Sequence, residues 1–174
     1  MGYPDSSTFS QQVIDIKLFG SQLKLNEENT ILLGKEQYVA ILPSNHPLAN
    51  KPHSKLSMLS NEEFILTNPS DLRTTVTDMC HEAGFEPNIV AETQLYSEAL
   101  SLVESGIGCT IGTTFTWLGH HHFNIAVKVC EDVHRYRYLY ANLNSDIEPS
   151  QATKTFIEFL KSYSKEITQS YEDE

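Results

Sequence analysis

The sequence predicts an α/β protein of two lobes, and three observations carry that prediction. First, Asn88 to Gly112 reads as strand, helix, strand. Ile89, Val90 and Ala91 form a short apolar run suited to a strand buried on both faces; Leu95, Ala99, Leu102 and Val103 then recur as one helical stripe; Ile107 to Ile111 is the next apolar run. Parallel strands joined by a helix cross right-handed, so this unit lays down one layer of an α/β domain. Second, strand and helix patterns alternate along the rest of the chain, with no internal repeat or low-complexity tract. Third, a stretch from about Pro43 to Asn142 sits between two outer pieces in the manner of an insertion.

Composition bounds what such a protein does. A chain of 174 residues with a 40% hydrophobic share can bury a full core. No segment approaches the ~18 uninterrupted apolar residues that a membrane span requires. The N-terminus has neither a basic region nor an apolar core, so it does not read as a secretory signal, and a cytoplasmic location is expected. Cys80, Cys109 and Cys130 are odd in number and widely spaced, which points to buried free thiols rather than a disulfide or a metal site. A net charge of −11 counts against nucleic-acid binding by this chain, because that binding draws most of its affinity from neutralising phosphates.

In order, residues 1–12 are polar and aperiodic and read as a loose leader. Val13 to Phe19 alternates as a strand that Gly20-Ser21 ends. Thr30 to Leu33 and Gln37 to Leu42 are two further strand-like runs, the second stopped by Pro43. A turn-rich stretch, S-N-H-P-L-A-N-K-P-H-S, follows, and His46 within it is expected to be structural. Leu56 to Leu59 allows one helical turn, and Glu63 to Thr67 reads as a strand. Asn68-Pro69 supplies an N-cap and a proline at the first helical position, opening a helix through Leu72, Val76, Met79, Cys80 and Ala83 that ends at Gly84. In the central unit Thr93 ends the first strand and is expected to cap the helix, and Gly106 suits a left-handed C-terminal cap. Thr113-Thr114 opens a short helix through Trp117, closed by Gly119. Ile125 to Val129 and Tyr136 to Leu143 read as strands. Pro149 opens a final helix with Phe156, Phe159, Leu160 and Tyr163 on one stripe, and the acidic end from Tyr171 is expected to fray. The lobes are therefore placed at 13–42 with 143–167, and at 43–142, with 168–174 as a tail.

Two α/β lobes joined by crossing strands place a cleft at their junction, with helix N-termini facing it, a geometry suited to a small anionic ligand. Thr67, Asn68, Thr93, Gln94 and Thr113 end strands or begin helices on one edge. Each is an ordinary capping residue by itself; their convergence is what points to a ligand. Arg73, in the first turn of its helix, opposes the helix dipole unless a carboxylate ligand is present, or else pairs with a nearby acid. Phe19 and Ser21 approach from the other lobe. His120, His121 and His122 are adjacent and do not share a face as i and i+4 residues do, so metal binding is not expected. No Gly-x-Ser-x-Gly elbow, phosphate loop or HExxH helix occurs, so neither an enzyme nor a cofactor is expected.

Four segments then become specific. E-Q-Y-V-A-I-L-P-S-N-H-P-L-A-N at Glu36 to Asn50, the strand and helix at Phe64 to Pro87 ending A-G-F-E-P, L-V-E-S-G-I-G-C-T-I-G at Leu102 to Gly112, and T-F-I-E-F-L at Thr155 to Leu160 together resemble LysR-type transcriptional regulators over their effector-binding domain, in order, from about Val13 to Lys165. The resemblance implies a type 2 periplasmic-binding-protein-like fold of two Rossmann-like lobes that bind a small-molecule effector between them. It further implies a cytoplasmic homo-oligomer, expected to be a dimer, that contacts DNA through a separate winged helix-turn-helix. The chain departs from the pattern in showing no helix-turn-helix and no opening strand and helix of the first lobe, which is why that lobe is expected to be incomplete. A solute-binding protein, or an enzyme on the same fold using a threonine, are the alternative readings.

Overall fold

The computed structural model describes residues 14–68, 70–114 and 123–172. They divide into two compact units, one comprising residues up to Glu36 and from Tyr136 onward, the other Gln37–Arg135.

In the first unit, β1 (Ile16–Ser21) pairs antiparallel with β7 (Tyr136–Leu143), from Ile16 opposite Leu143 to Ser21 opposite Tyr138. The strand therefore continues through Gly20-Ser21, which the sequence pattern treats as its end, because β7 supplies a partner for every residue. The other side of β7 adjoins β2, Thr30–Pro43. Asn142 donates to the Thr30 hydroxyl at 3.1 Å, and Arg137 lies 3.5 Å from the Glu36 carboxylate, so the two strands run antiparallel. Expected as two runs, β2 is one 14-residue strand: the polar interval Gly34-Lys35-Glu36 stays extended because Lys35 sits 3.6 Å over the Tyr136 ring and Glu36 is fully buried beside Arg137. Helix α3, Gln151–Glu172, closes the unit and runs on beyond 167. The Ser150 hydroxyl accepts the Thr153 N–H at 3.1 Å, and the Thr153 hydroxyl donates to the Asp15 carboxylate, tying the helix start to the start of β1.

The second unit is a sheet in the order β4-β3-β5-β2-β6. β3 (Glu63–Thr67) pairs in parallel with β4 (Asn88–Thr93). On its other side β3 meets β5 (Thr110–Thr113), through a parallel bridge between Phe64 and Cys109 and the N–H of Ile65 donating to the Cys109 carbonyl at 2.9 Å. β2 lies antiparallel between β5 and β6, Ile125–Val129. Alternation along the strands splits the core in two. Tyr38, Ala40, Leu42, Phe64 and Leu66 face α1 (Ser70–Glu82) with its Val76, Met79 and Cys80. Val39, Ile41 and Ile65 face α2 (Tyr96–Glu104) with its Ala99, Leu100 and Val103. Each fully buried large aliphatic side chain contributes about 1.5–3 kcal/mol. A short 3-10 turn spans Leu56–Leu59, its first N–H capped by Asp132 at 2.7 Å.

Several elements differ from the sequence pattern for local reasons. Residues 136–142 belong with β1 rather than with the inserted unit, so the units divide at 36/37 and 135/136 instead of 42/43 and 142/143. β4 is not buried on both faces: it is an edge strand, and Val90 is 43% exposed. The buried stripe of α2 is Ala99, Leu100 and Val103, while Leu95 is 58% exposed because it precedes the helix as its N-cap residue. Thr113, expected to open a helix, is instead the last residue of β5, Thr110–Thr113, and Thr114 is a turn. The rest of that helix through Trp117, Pro69 as first helical residue, His120–His122 and Val13 lie outside the described residues. Among the described residues no helix is long and apolar enough to cross a membrane.

Candidate functional site

The sheet of the 37–135 unit presents the carboxyl ends of three adjacent parallel strands, and each ends in a buried threonine. Thr67 closes β3 and is 3% exposed; Thr93 closes β4 at 7%; Thr113 closes β5 at 0%. From β3 the chain crosses over α1 to β4 at one edge of the sheet, whereas the next described strand after β5 is β6 at the other edge. Open α/β sheets bind ligands where connections diverge in this way.

Two of the hydroxyls are joined. Thr67 Oγ1 and Thr93 Oγ1 are 3.1 Å apart, and Thr93 Oγ1 also donates to the Leu95 carbonyl at 3.3 Å. A hydroxyl has a single proton, so with Thr93's directed to Leu95 it is Thr67 that donates within the pair. The Asn68 N–H extends the same ladder, donating to the Thr93 carbonyl at 2.9 Å. Thr113 Oγ1 is different: it is fully buried and has no hydrogen-bond partner among the described residues. A buried hydroxyl left unmatched costs about 1–3 kcal/mol. Such groups are rare in native proteins unless something else satisfies them.

The glycine pair of the Leu102–Gly112 stretch builds this edge. Gly106 follows α2 with φ of +78°, which only glycine adopts without strain. At Gly108 a side chain would run into the Glu63 carbonyl; its absence lets the Cys109 N–H donate to that carbonyl at 2.8 Å. The Thr110 hydroxyl then donates to the Ile65 carbonyl at 2.7 Å, locking β5 beside β3 and bringing Thr113 level with Thr67's end of the sheet.

Other candidate residues are placed differently. Thr93 does not cap α2. Instead the Glu98 carboxylate accepts the N–H groups of Gln94 and Leu95, at 3.1 and 3.2 Å. Glu98 thus places an anion on the helix end expected to receive one. Its signal in the sequence is partial, because capping signatures begin with Ser or Thr, although a Glu three residues after the N-cap is the usual sign of the reciprocal half of the motif. Gln94 is exposed beside it. Arg73 pairs with Glu92 on β4, the ordinary arrangement for an exposed arginine. Phe19 and Ser21 belong to the other unit. Phe19 stacks on Tyr140 at 5.6 Å, and the Ser21 hydroxyl accepts the Leu23 N–H at 3.0 Å. His46 has a turn-stabilising role, its Nδ1 accepting the Leu48 N–H at 3.1 Å.

The three cysteines are free and buried in the same unit. Burial away from water disfavours the thiolate, pushing Cys80 up to about 12 and Cys130 up to about 11, with Cys109 raised further still. They are packing groups rather than nucleophiles.

Comparison with known proteins defines the family. The model of the LysR substrate binding domain matches residues 10–165, and the chain belongs to that family. The HTH-type transcriptional regulator ShiR of Corynebacterium glutamicum is 33% identical over 108 residues, covering 60% of this chain and 37% of ShiR. The regulatory domain of CcmR from Synechocystis PCC6803, solved with 2-PG, superposes with a TM-score of 0.71 at 21% identity, covering 88% of this chain and 75% of that one. The BenM effector binding domain, solved with its effector benzoate, superposes with a TM-score of 0.63 at 25% identity, covering 92% and 71%. The chain spans about a third of the length of the curated relatives it matches, between 33% and 37% for the first three. The fold is thus the two-unit α/β fold of LysR effector-binding domains.

Proposed function

We propose that this chain is the effector-sensing part of a transcription regulator, and that the carboxyl edge of its 37–135 unit holds a small carboxylate. The protein would read that metabolite in the cytoplasm and contact DNA through a part outside this chain. The observation that carries the reading is Thr113 Oγ1, buried and without a partner among the described residues at the end of β5, in line with the strand-end threonines 67 and 93. Family membership supports a sensing role, and benzoate in BenM supports the ligand class. The resident Glu98 carboxylate argues that the ligand's charge lies toward Thr113, Thr67 and Asn68, rather than against α2. Arg73 and Gln94 would then be peripheral contacts, Arg73 only after exchanging Glu92 for the ligand. Ligand binding shifts such a protein between states only by preferring one of them.

Thr113→Val tests the reading in two directions at once. It removes an unmatched hydroxyl, so the ligand-free protein should gain ~1 kcal/mol and melt higher. It also removes a ligand contact, so binding should weaken by about tenfold or more, with Thr113→Ser restoring both properties. Melting and calorimetric titration against a panel of small carboxylates, benzoate first, make the measurement. If no carboxylate binds, or if binding is indifferent to Thr113→Val and Thr93→Val alike, the reading fails.

A further inference from the structure

Building on the proposed binding of a small carboxylate at the edge of the 37–135 unit, we infer that this ligand is a hydroxycarboxylate whose hydroxyl stands well away from its carboxylate, and that the Thr67–Thr93 pair receives the hydroxyl as a hydrogen-bond donor.

The direction of the hydrogen bonds at this edge points there. Thr93 Oγ1 gives its proton to the Leu95 carbonyl at 3.3 Å, and Thr67 Oγ1, 3.1 Å from Thr93 Oγ1, gives its own to Thr93. Both protons are spent within the protein. Thr67 Oγ1 keeps its lone pairs, and Thr93 Oγ1 keeps the one that Thr67 does not use. The backbone N–H that follows each of the three strands is committed too. That of Asn68 donates to the Thr93 carbonyl at 2.9 Å, that of Gln94 to the Glu98 carboxylate at 3.1 Å, and that of Thr114 to the Gln37 carbonyl at 3.1 Å. A carboxylate oxygen set against Thr67 and Thr93 would therefore face lone pairs with lone pairs. A group with a proton to give fits them.

Thr113 is the complement of that pair. Its hydroxyl is fully buried and has no partner among the described residues, so its proton is free to go to a carboxylate. Strand alternation sets the two places apart. Thr113 follows Cys109 and Ile111, which pack in the core on the α1 side, whereas Thr67 follows Ile65, which packs on the α2 side. The hydroxyls thus lie on opposite faces at the ends of adjacent strands whose axes are about 4.8 Å apart. A hydroxyl on the atom next to the carboxylate cannot reach across that edge; one carried further round a ring or along a chain can. Thr67 and Thr93 are 3% and 7% exposed, and a charged ammonium brought to that depth beside neutral oxygens loses far more hydration than a hydroxyl does.

Calorimetric titration of benzoate, its meta- and para-hydroxy derivatives and its meta- and para-fluoro derivatives tests this, because fluorine is close to hydroxyl in size and has no proton to give. The better hydroxybenzoate should bind about tenfold or more tighter than the fluorobenzoate substituted at the same position. Thr67→Val combined with Thr93→Val removes both acceptors while keeping the shape of the side chains, and should bring that pair of ligands within about twofold of each other; Thr67→Ser combined with Thr93→Ser should keep the preference. Melting of the variants reports their folding, and if the valine variant does not fold, the wild-type comparison of hydroxyl with fluorine decides. Equal binding of the two by the wild type overturns the inference and leaves the carboxylate reading standing. So does a preference for hydroxyl that survives the valine variant, or tighter binding of meta-aminomethylbenzoate than of either hydroxybenzoate. Binding of no member of the series overturns both.

Discussion

Glu36 shows how far one residue's environment can depart from what its type suggests. A carboxylate in the middle of a strand reads as a solvent-facing residue, yet Glu36 is fully buried, with Arg137 at 3.5 Å. Room for that guanidinium comes from Gly20 on β1, where any side chain would occupy the space Arg137 fills. Removing the arginine leaves a buried carboxylate without its cation, and Arg137→Ala should cost about 1–3 kcal/mol in chemical denaturation. Arg137→Ala in a Glu36→Gln background should cost clearly less; equal costs would show that the pair is not the cause. Residues of this kind are not legible in a sequence, because their partners lie about a hundred positions away. The strand-end threonines were legible as a group, since capping chemistry marks them at each strand end. What could not be read was their inequality, with Thr67 and Thr93 bonded to each other and Thr113 without a partner among the described residues.

Among the elements, the strand–helix–strand unit from β4 to β5 was the most legible, because its periodicity changes from strand to helix and back within 25 residues bounded by Asn88 and Gly112. Its details turned on neighbours. β4 proved to be an edge strand, and α2 buries Leu100 in place of Leu95, since a helix's buried face is set by the sheet beneath it and the N-cap residue lies outside that face. The junction of β3 and β5 depends on Gly108. Gly108→Ala drives a methyl group into the Glu63 carbonyl, a backbone atom that cannot rotate away. The expected outcome is a loss of about 2–4 kcal/mol, of the size of other overpacking and lost backbone hydrogen bonds together, and faster hydrogen exchange at Ile65 and Cys109. A substitution at Gly108 that left those amides as slow as before would mean the strands are joined by something else.

At the scale of the whole molecule, the acidic balance and the buried thiols set the response to pH. The folded protein holds Cys80, Cys109 and Cys130 protonated above the ordinary thiol value of 9.0, whereas an unfolded chain releases those protons near that value. Above pH 9 the unfolded state therefore binds fewer protons than the native state, and stability must fall as pH rises from about 9 toward 12. Below pH 9 these groups contribute no slope. Replacing all three by Ala should flatten the alkaline limb of the stability curve, whatever it does to the plateau, and an unchanged limb would assign the slope to other groups. The two-unit architecture was readable from the ordering of strand and helix signals. The positions of the unit boundaries were not, because they depend on which strand β7 pairs with, and that is a long-range choice.

The pairing of β2 with β7 has a consequence for how such a protein can change. Lys35 touches Tyr136 and Glu36 touches Arg137, so the chain departs into the 37–135 segment and comes back from it at neighbouring points on one ribbon. Ninety-nine residues, Gln37–Arg135, are thereby strung between two adjacent anchors. A segment attached in this way can be exchanged for another of different length or specificity by recombination at two sites, without rerouting the polypeptide on either side. The ribbon is a socket, and the segment it carries is the part free to be replaced.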